Sequence, residues 1–274
     1  MIPKSPNTPD ASVPFDLIDI SRDLGVAAQS GTAKSILVAG QALAFWGAYY
    51  LDEHAPAEYD IALASRDIDF FERRIERVRE YIDAMKSVVE TYGAQMSDPL
   101  YPTLDDSTFQ TAILELNHPS LSQPIIIDFL GSVDGLTDQE VECGADTINV
   151  NGKSLPILNP VLCLKARIHN LLVLYPRLGK SDDRMAVELL RVKAAIEIVR
   201  AYLIDLRQHN PKDGARKAHQ RIRPLLKLAR KNSLGRELYR RYAVNVLDAF
   251  EGAGFPDRFM TTTVADLRQK IETP

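Results

Sequence analysis

Apolar and polar positions change period several times along the first 160 residues. FDLIDISRDLGVAAQ (15–29) gathers its apolar residues on one side of a 3.6-residue turn and predicts an amphipathic helix. SILVAG (35–40) is a short apolar run closed by glycine, which predicts a buried strand. QALAFWGAYYLD is built of strong helix formers. HAPAEYD (54–60) reads as a turn with Pro56 as breaker. DIDFF (67–71) is a second strand. A helix is predicted over 72–92, with Ile75, Val78, Ile82, Met85, Val88 and Val89 at three-four spacing.

The period then shortens to two. TFQTAILELN (108–117) and QPIIIDFLG (123–131) predict two strands joined by a hairpin or short crossover, and Asn151-Gly152 inside INVNGKSLPIL marks a tight hairpin. After Pro160 helical patterning predominates, with helices near 160–174, 183–208, 214–231 and 234–251. The expected fold is α+β: a mixed sheet with flanking helices, then an all-helical C-terminal part. The expected division is a flexible leader at 1–14, an α/β domain at 15–158 and a helical domain at 159–274.

Composition adds limits. The 274 residues are 45% hydrophobic and 26% charged, enough for a substantial core. No run approaches the roughly 20 apolar residues that span a bilayer, and the polar, proline-rich start lacks a signal-peptide core. A cytoplasmic, non-membrane protein is expected. Cys143 and Cys163 lack metal-site spacing and read as small buried residues. Net charge is −4, yet Asp205–Arg241 holds 12 Lys/Arg against 3 Asp/Glu.

Within SRDIDFF, Asp67 and Asp69 are two apart and share one face of a strand, with Ile68 and Phe70 on the other. Adjacent carboxylates repel unless a cation neutralises them, and magnesium takes one or two carboxylates plus phosphate and water. Such a pair is also found on solvated strand edges, in glycosyltransferases and in two-metal nucleases. Asp128 ends the apolar run IIIDFLG, where burial without a partner or metal is costly. It could otherwise cap a turn. LVAGQAL (37–43) is strand, glycine, helix; the helix start offers free N–H groups to an anion, or Gly40 simply turns the chain.

A glycine turn opening a helix, D-x-D on the next strand and a third Asp on a later strand resemble the nucleotidyltransferase superfamily with the DNA polymerase beta-like fold. The residues are Gly40, Ala42 and Leu43, then Asp67 and Asp69, then Asp128. NPVLCLKARIHNLL (159–172) and GKSDDRMAVELLRV (179–192) resemble the helices of its AbiEii/MenT-type toxin branch, over roughly residues 35–200. Gln41 stands where that family usually has Gly or Ser. The resemblance implies an NTP-using transferase in which Asp67, Asp69 and Asp128 bind Mg2+ or Mn2+. Asp128 could instead be the base. Lys165 would hold the triphosphate, and Asp183 or Asp182 would orient Lys165 or the acceptor. Gly40, Gln41, Ser65 and Arg66 complete the implied nucleotide site.

KDGARKAHQRIRPLLKLARKNSLGRELYRRYAVNVL (212–247) repeats Arg and Lys along predicted helices, with His219, Tyr239 and Tyr242 interleaved. A basic face neutralises phosphates, and an aromatic can stack on a base. The same arginines could pair with the acidic half. Leu225, Leu226 and Leu228 read as core. The expected activity is nucleotidyl transfer to an RNA acceptor, with tRNA and an antitoxin partner implied by the resemblance to toxins. Nucleotidylation of a protein or small molecule is the second reading, and a non-catalytic nucleic-acid or partner-binding protein the third.

Overall fold

The computed structural model describes residues 16–29, 35–102, 109–209, 211–230 and 233–273; the predicted leader lies outside them. The first half contains α1 (Leu17–Ala27), β1 (Ile36–Leu37), α2 (Ala39–Tyr50), α3 (Ala57–Leu63), β2 (Ile68–Phe71), α4 (Ile75–Thr91), β3 (Gln95–Met96), β4 (Gln110–Asn117) and β5 (Ile125–Leu130). Then come α5 (Asp138–Gly144), β6 (Ala145–Val150), β7 (Lys153–Leu158), α6 (Pro160–His169), a π-turn (Asn170–Leu174) and α7 (Tyr175–Arg177). The remainder is α8 (Asp182–His209), α9 (Pro211–Arg221), α10 (Arg223–Arg230), α11 (Ser233–Tyr242), a 3₁₀ turn (Val246–Phe250), a second π-turn (Phe259–Val264) and α12 (Ala265–Glu272). No helix among the described residues is long and apolar enough to cross a membrane.

One mixed seven-stranded sheet runs β3-β4-β5-β2-β1-β7-β6. β2 lies parallel to β5 and antiparallel to β1, and β1 is parallel to β7. Alternation decides what each face carries. Ile125, Ile127 and Phe129 of β5 are buried while Asp128 on the other side is half-buried. Phe70 stacks on Phe129 at 5.5 Å between ring centroids, and Tyr81 of α4 stacks on Phe129 at 6.3 Å. α1 and α4 therefore cover the face opposite the acids, whose own face meets α2. α8 packs along α2, α3 and α6, so the helical second half rests on the acid face of the sheet. Trp46 of α2 donates from Nε1 to the Leu158 carbonyl at 2.8 Å, at the junction of β7 and α6.

Several boundaries differ from expectation, each for a local reason. α3 forms where a turn was expected: Pro56 precedes its first residue, and its fixed φ of −54° starts a helix as readily as it ends one. α2 begins at Ala39, whose φ is +52°, so Gly40 sits inside the first turn rather than ahead of it. The predicted 214–231 helix is two helices, because Pro224 has no N–H to continue the ladder. α11 ends at Tyr242 before Ala243, with φ of +53°, and a 3₁₀ turn replaces the rest of the predicted helix. α5 was not anticipated; a Thr137–Glu140 capping box starts it. The Asn151-Gly152 hairpin is present, both residues at positive φ. Cys163 is buried as expected, but Cys143 is exposed.

Candidate active site

Asp69 and Asp128 are register partners on the parallel strands β2 and β5. Both project toward α2, because their neighbours Ile68, Phe70, Ile127 and Phe129 fill the opposite side. The Gly40 N–H, in the first turn of α2, donates to the Asp69 carboxylate. The Val38 N–H donates to the Asp69 carbonyl at 2.9 Å. Burial, then the charge of Asp128, then that of Asp67, outweigh the Arg167 guanidinium and the Gly40 bond, and push the Asp69 carboxyl up to about 7. Asp128 is also raised, by burial and Asp67, against a 2.9 Å hydrogen bond that its Oδ1 accepts from Gln110. Asp67 is exposed, at the mouth of the pair.

The turn before β2 is tied to α2. Gln41 is buried and donates from Nε2 to the Ser65 carbonyl at 3.1 Å; Ser65 Oγ donates to the Asp67 carbonyl at 3.2 Å. A Cβ on Gly40 would lie 2.8 Å from Ser65 Cβ and closer still to Ser65 Oγ. Glycine is required here by close packing, since the left-handed turn falls on Ala39. Gln41 thus holds the loop bearing Asp67. Arg66 is exposed beside that loop.

The cation nearest this chemistry is one that sequence reasoning passed over. Arg167, on α6 two residues past Lys165, is buried, and its Nη2 lies 4.0 Å from the position a Gly40 Cβ would take. Its Nη1 pairs with Glu188 of α8 at 3.3 Å; the other Glu188 oxygen pairs with Arg191 at 3.2 Å. Arg191 then donates to the carbonyls of Ala62, at 2.6 Å, and Ala64. Glu188 is wholly buried, so this triad fastens α8 both to α6 and to the end of α3 just before the acids. The one sequence signal was an arginine amid the apolar run of NPVLCLKARIHNLL.

Lys165 is engaged by a carboxylate outside the acid set. Lys165 Nζ lies 2.7 Å from both Glu140 oxygens on α5. Burial raises the Glu140 carboxyl, but the Lys165 and Thr137 bonds outweigh it and hold it below its ordinary range. Asp183 is exposed in the first turn of α8, and among the described residues no hydrogen bond or ion pair joins it to Lys165 or to the acids. Nor is any group of three or more His, Cys, Asp or Glu side chains among the described residues drawn close enough to hold a metal as it stands. The donor set still fits a hard cation. Two facing carboxylates, one desolvated and one beside it, with Asp67 at the rim, offer only oxygen, which suits Mg2+ or Mn2+.

The basic helices carry their charge outward. Lys217, Arg223, Lys227, Arg230 and Arg236 are exposed. Arg221 crosses to Asp146 of β6, whereas Arg240 and Arg241 pair locally with Glu237. The aromatics serve packing: His219 lies against Phe255 and Phe259, and Tyr239 and Tyr242 pack on the core. Leu225 and Leu228 are core as expected, with Leu226 partly buried against it. α10 and α11 both pack on α6.

No protein-family model matches this chain, and no curated protein matches it.

Proposed function

We propose that this protein is a metal-dependent nucleotidyltransferase that moves a nucleotidyl group from an NTP to an acceptor hydroxyl on RNA, with tRNA as the acceptor class. The observation that carries this is the facing of Asp69 and Asp128 on adjacent parallel strands, with the first turn of α2 hydrogen-bonded to Asp69. Asp69 and Asp128, with Asp67 at the rim, would hold Mg2+ or Mn2+. That ion would neutralise phosphate charge and lower the barrier to attack on the α-phosphorus.

In the transfer, the acceptor oxygen bonds to the α-phosphorus, the bond to the β-phosphate oxygen breaks, and pyrophosphate leaves. The hydroxyl proton passes to a carboxylate. Asp128 takes it in the alternative in which Asp67 and Asp69 alone hold the ion. Arg167, buried and anchored by Glu188, supplies a fixed positive charge beside Asp69. Lys165 would bind the triphosphate only after leaving Glu140, so its pairing makes it a switchable ligand. The exposed basic residues of α9–α11, two of whose helices adjoin α6, offer an RNA backbone a docking face.

The resemblance to the toxin branch extends the reading to a cytoplasmic toxin restrained by an antitoxin. The Lys165–Glu140 pair favours a second reading, a non-catalytic nucleic-acid or partner-binding protein on this scaffold. The deciding experiment incubates the protein with Mg2+, each alpha-labelled NTP and total tRNA, beside Asp69→Ala. Label in RNA with wild type alone is expected. Label in protein transfers the acceptor to polypeptide, and no label with no Mg2+-dependent NTP binding leaves the binding-protein reading.

A further inference from the structure

β1 has only two residues, and this leaves a notch in the sheet. Ile36 pairs with Phe71, and among the described residues no strand residue before Ile36 bridges the end of β2 to β7. A cavity of about 630 Å³ opens there, past the end of β2 that lies away from Asp69. Ile36, Phe71 and Pro156 contribute apolar lining, and Arg73, Arg74 and Arg77 line it as well.

Three arginines and three acids, Glu72, Asp138 and Glu142, meet at this notch, but they are unevenly paired. Glu72 is buried and already engaged: it accepts from Tyr81 at 3.0 Å and from the Arg74 N–H at 3.1 Å. Arg77 lies 3.8 Å from Glu72, beyond a good hydrogen bond. Arg73 pairs with Asp138 at 2.9 Å, both well exposed, a contact that water competes for. The Arg74 guanidinium has no ion-pair or hydrogen-bond partner among the described residues. Glu142, on the opposite wall, is the remaining acid. Two under-used guanidinium forks over a partly apolar floor suit a phosphate group with a small organic body. The volume falls within the roughly 300–1,000 Å³ of small-molecule sites.

We propose that this notch is a second anion site, which binds a small phosphate ester of about mononucleotide size through Arg74 and Arg77. It lies apart from Asp69 and Asp128 and does not depend on the transferase reading. Calorimetric titration in EDTA would use AMP, UMP, pyrophosphate and adenosine in turn. AMP or UMP should bind with a Kd below about 1 mM and adenosine should not. Arg74→Glu/Arg77→Glu should weaken binding at least tenfold, while Asp69→Asn/Asp128→Asn leaves it unchanged. Arg74→Glu alone, at an exposed position, should weaken binding too and guards against a folding defect in the double variant. Pyrophosphate binding with the same arginine dependence would support phosphate recognition and assign the natural ligand to the inorganic anion. Absence of binding at 1 mM ligand, binding that survives loss of both arginines, or binding abolished only in the aspartate variant would overturn the proposal.

Discussion

At the scale of single residues, Asp69 and Gly40 are the informative positions. The Asp69 carboxyl titrates near 7 in the fold against an ordinary 3.8, so the folded protein keeps this proton to a higher pH than the unfolded chain. The group's contribution is therefore complete below 3.8 and is lost as pH rises toward 7. Asparagine mimics the protonated form. Asp69→Asn should be more stable than wild type at pH 8, by up to about 4 kcal/mol, with little advantage at pH 4. Urea midpoints at the two pH values measure this, and an equal gain at both would refute the burial argument. Saturating Mg2+ should shrink the gap at pH 8, since the cation supplies the missing charge. Gly40→Ala drives a methyl into Ser65 and should cost roughly 1–3 kcal/mol. If the clash is the cause, adding Ser65→Gly should restore part of the loss; no rescue would point to backbone conformation instead.

At the scale of elements, two ion pairs on α6 have different standing. Arg167–Glu188–Arg191 is buried and joins α6, α8 and the end of α3. Glu188→Ala leaves a buried guanidinium without its main partner, and a loss of about 3–5 kcal/mol is expected. Lys165–Glu140 is partly exposed, at 18% and 25% for the two side chains. Glu140→Ala should cost no more than about 1 kcal/mol. Thermal and urea unfolding of the two variants side by side test the ordering. The element scale also shows where sequence patterning suffices. β5 and α4 follow their periods closely, and the Asn-Gly hairpin appears where its dipeptide stands. α3, α5 and the break at Pro224 were not legible, because proline both starts and stops helices and a seven-residue helix has too few turns for a period to show.

At the scale of the whole molecule, the sheet has one face packed by α1 and α4 and the other by α2 and the helical second half. The acids lie under the latter, and the basic helices α10 and α11 pack against α6. This arrangement predicts salt-dependent RNA binding. Charge reversal at Arg223, Lys227 and Arg230 should lower affinity at least tenfold in 0.1 M salt and flatten the dependence of log Kd on log salt. Filter binding across a salt series provides the measurement, and an unchanged slope would remove this face from the acceptor site. The same substitutions should leave the unfolding midpoint nearly unaltered, because all three side chains are exposed.

The sequence alone determined which strands are apolar on one side and acidic on the other, since alternation is a local property of an extended chain. It also placed Asp69 and Asp128 on strands and Gly40 at the start of a helix, whereas Asp67, expected on the strand, falls in the bend just before β2. Register was beyond it. That Asp69 faces Asp128 depends on β2 pairing with β5 in parallel across more than fifty intervening residues, and no local pattern encodes that pairing. Arg167 stayed hidden for a related reason. A cation in an apolar helix is tolerated only when a distant partner is buried with it, and Glu188 reaches it only once α8 has packed on α6. Tertiary structure likewise gave Lys165 a carboxylate of its own and set Tyr239 and Tyr242 of the basic helices against the core, because packing assigns each side chain one neighbourhood among the several its spacing allows.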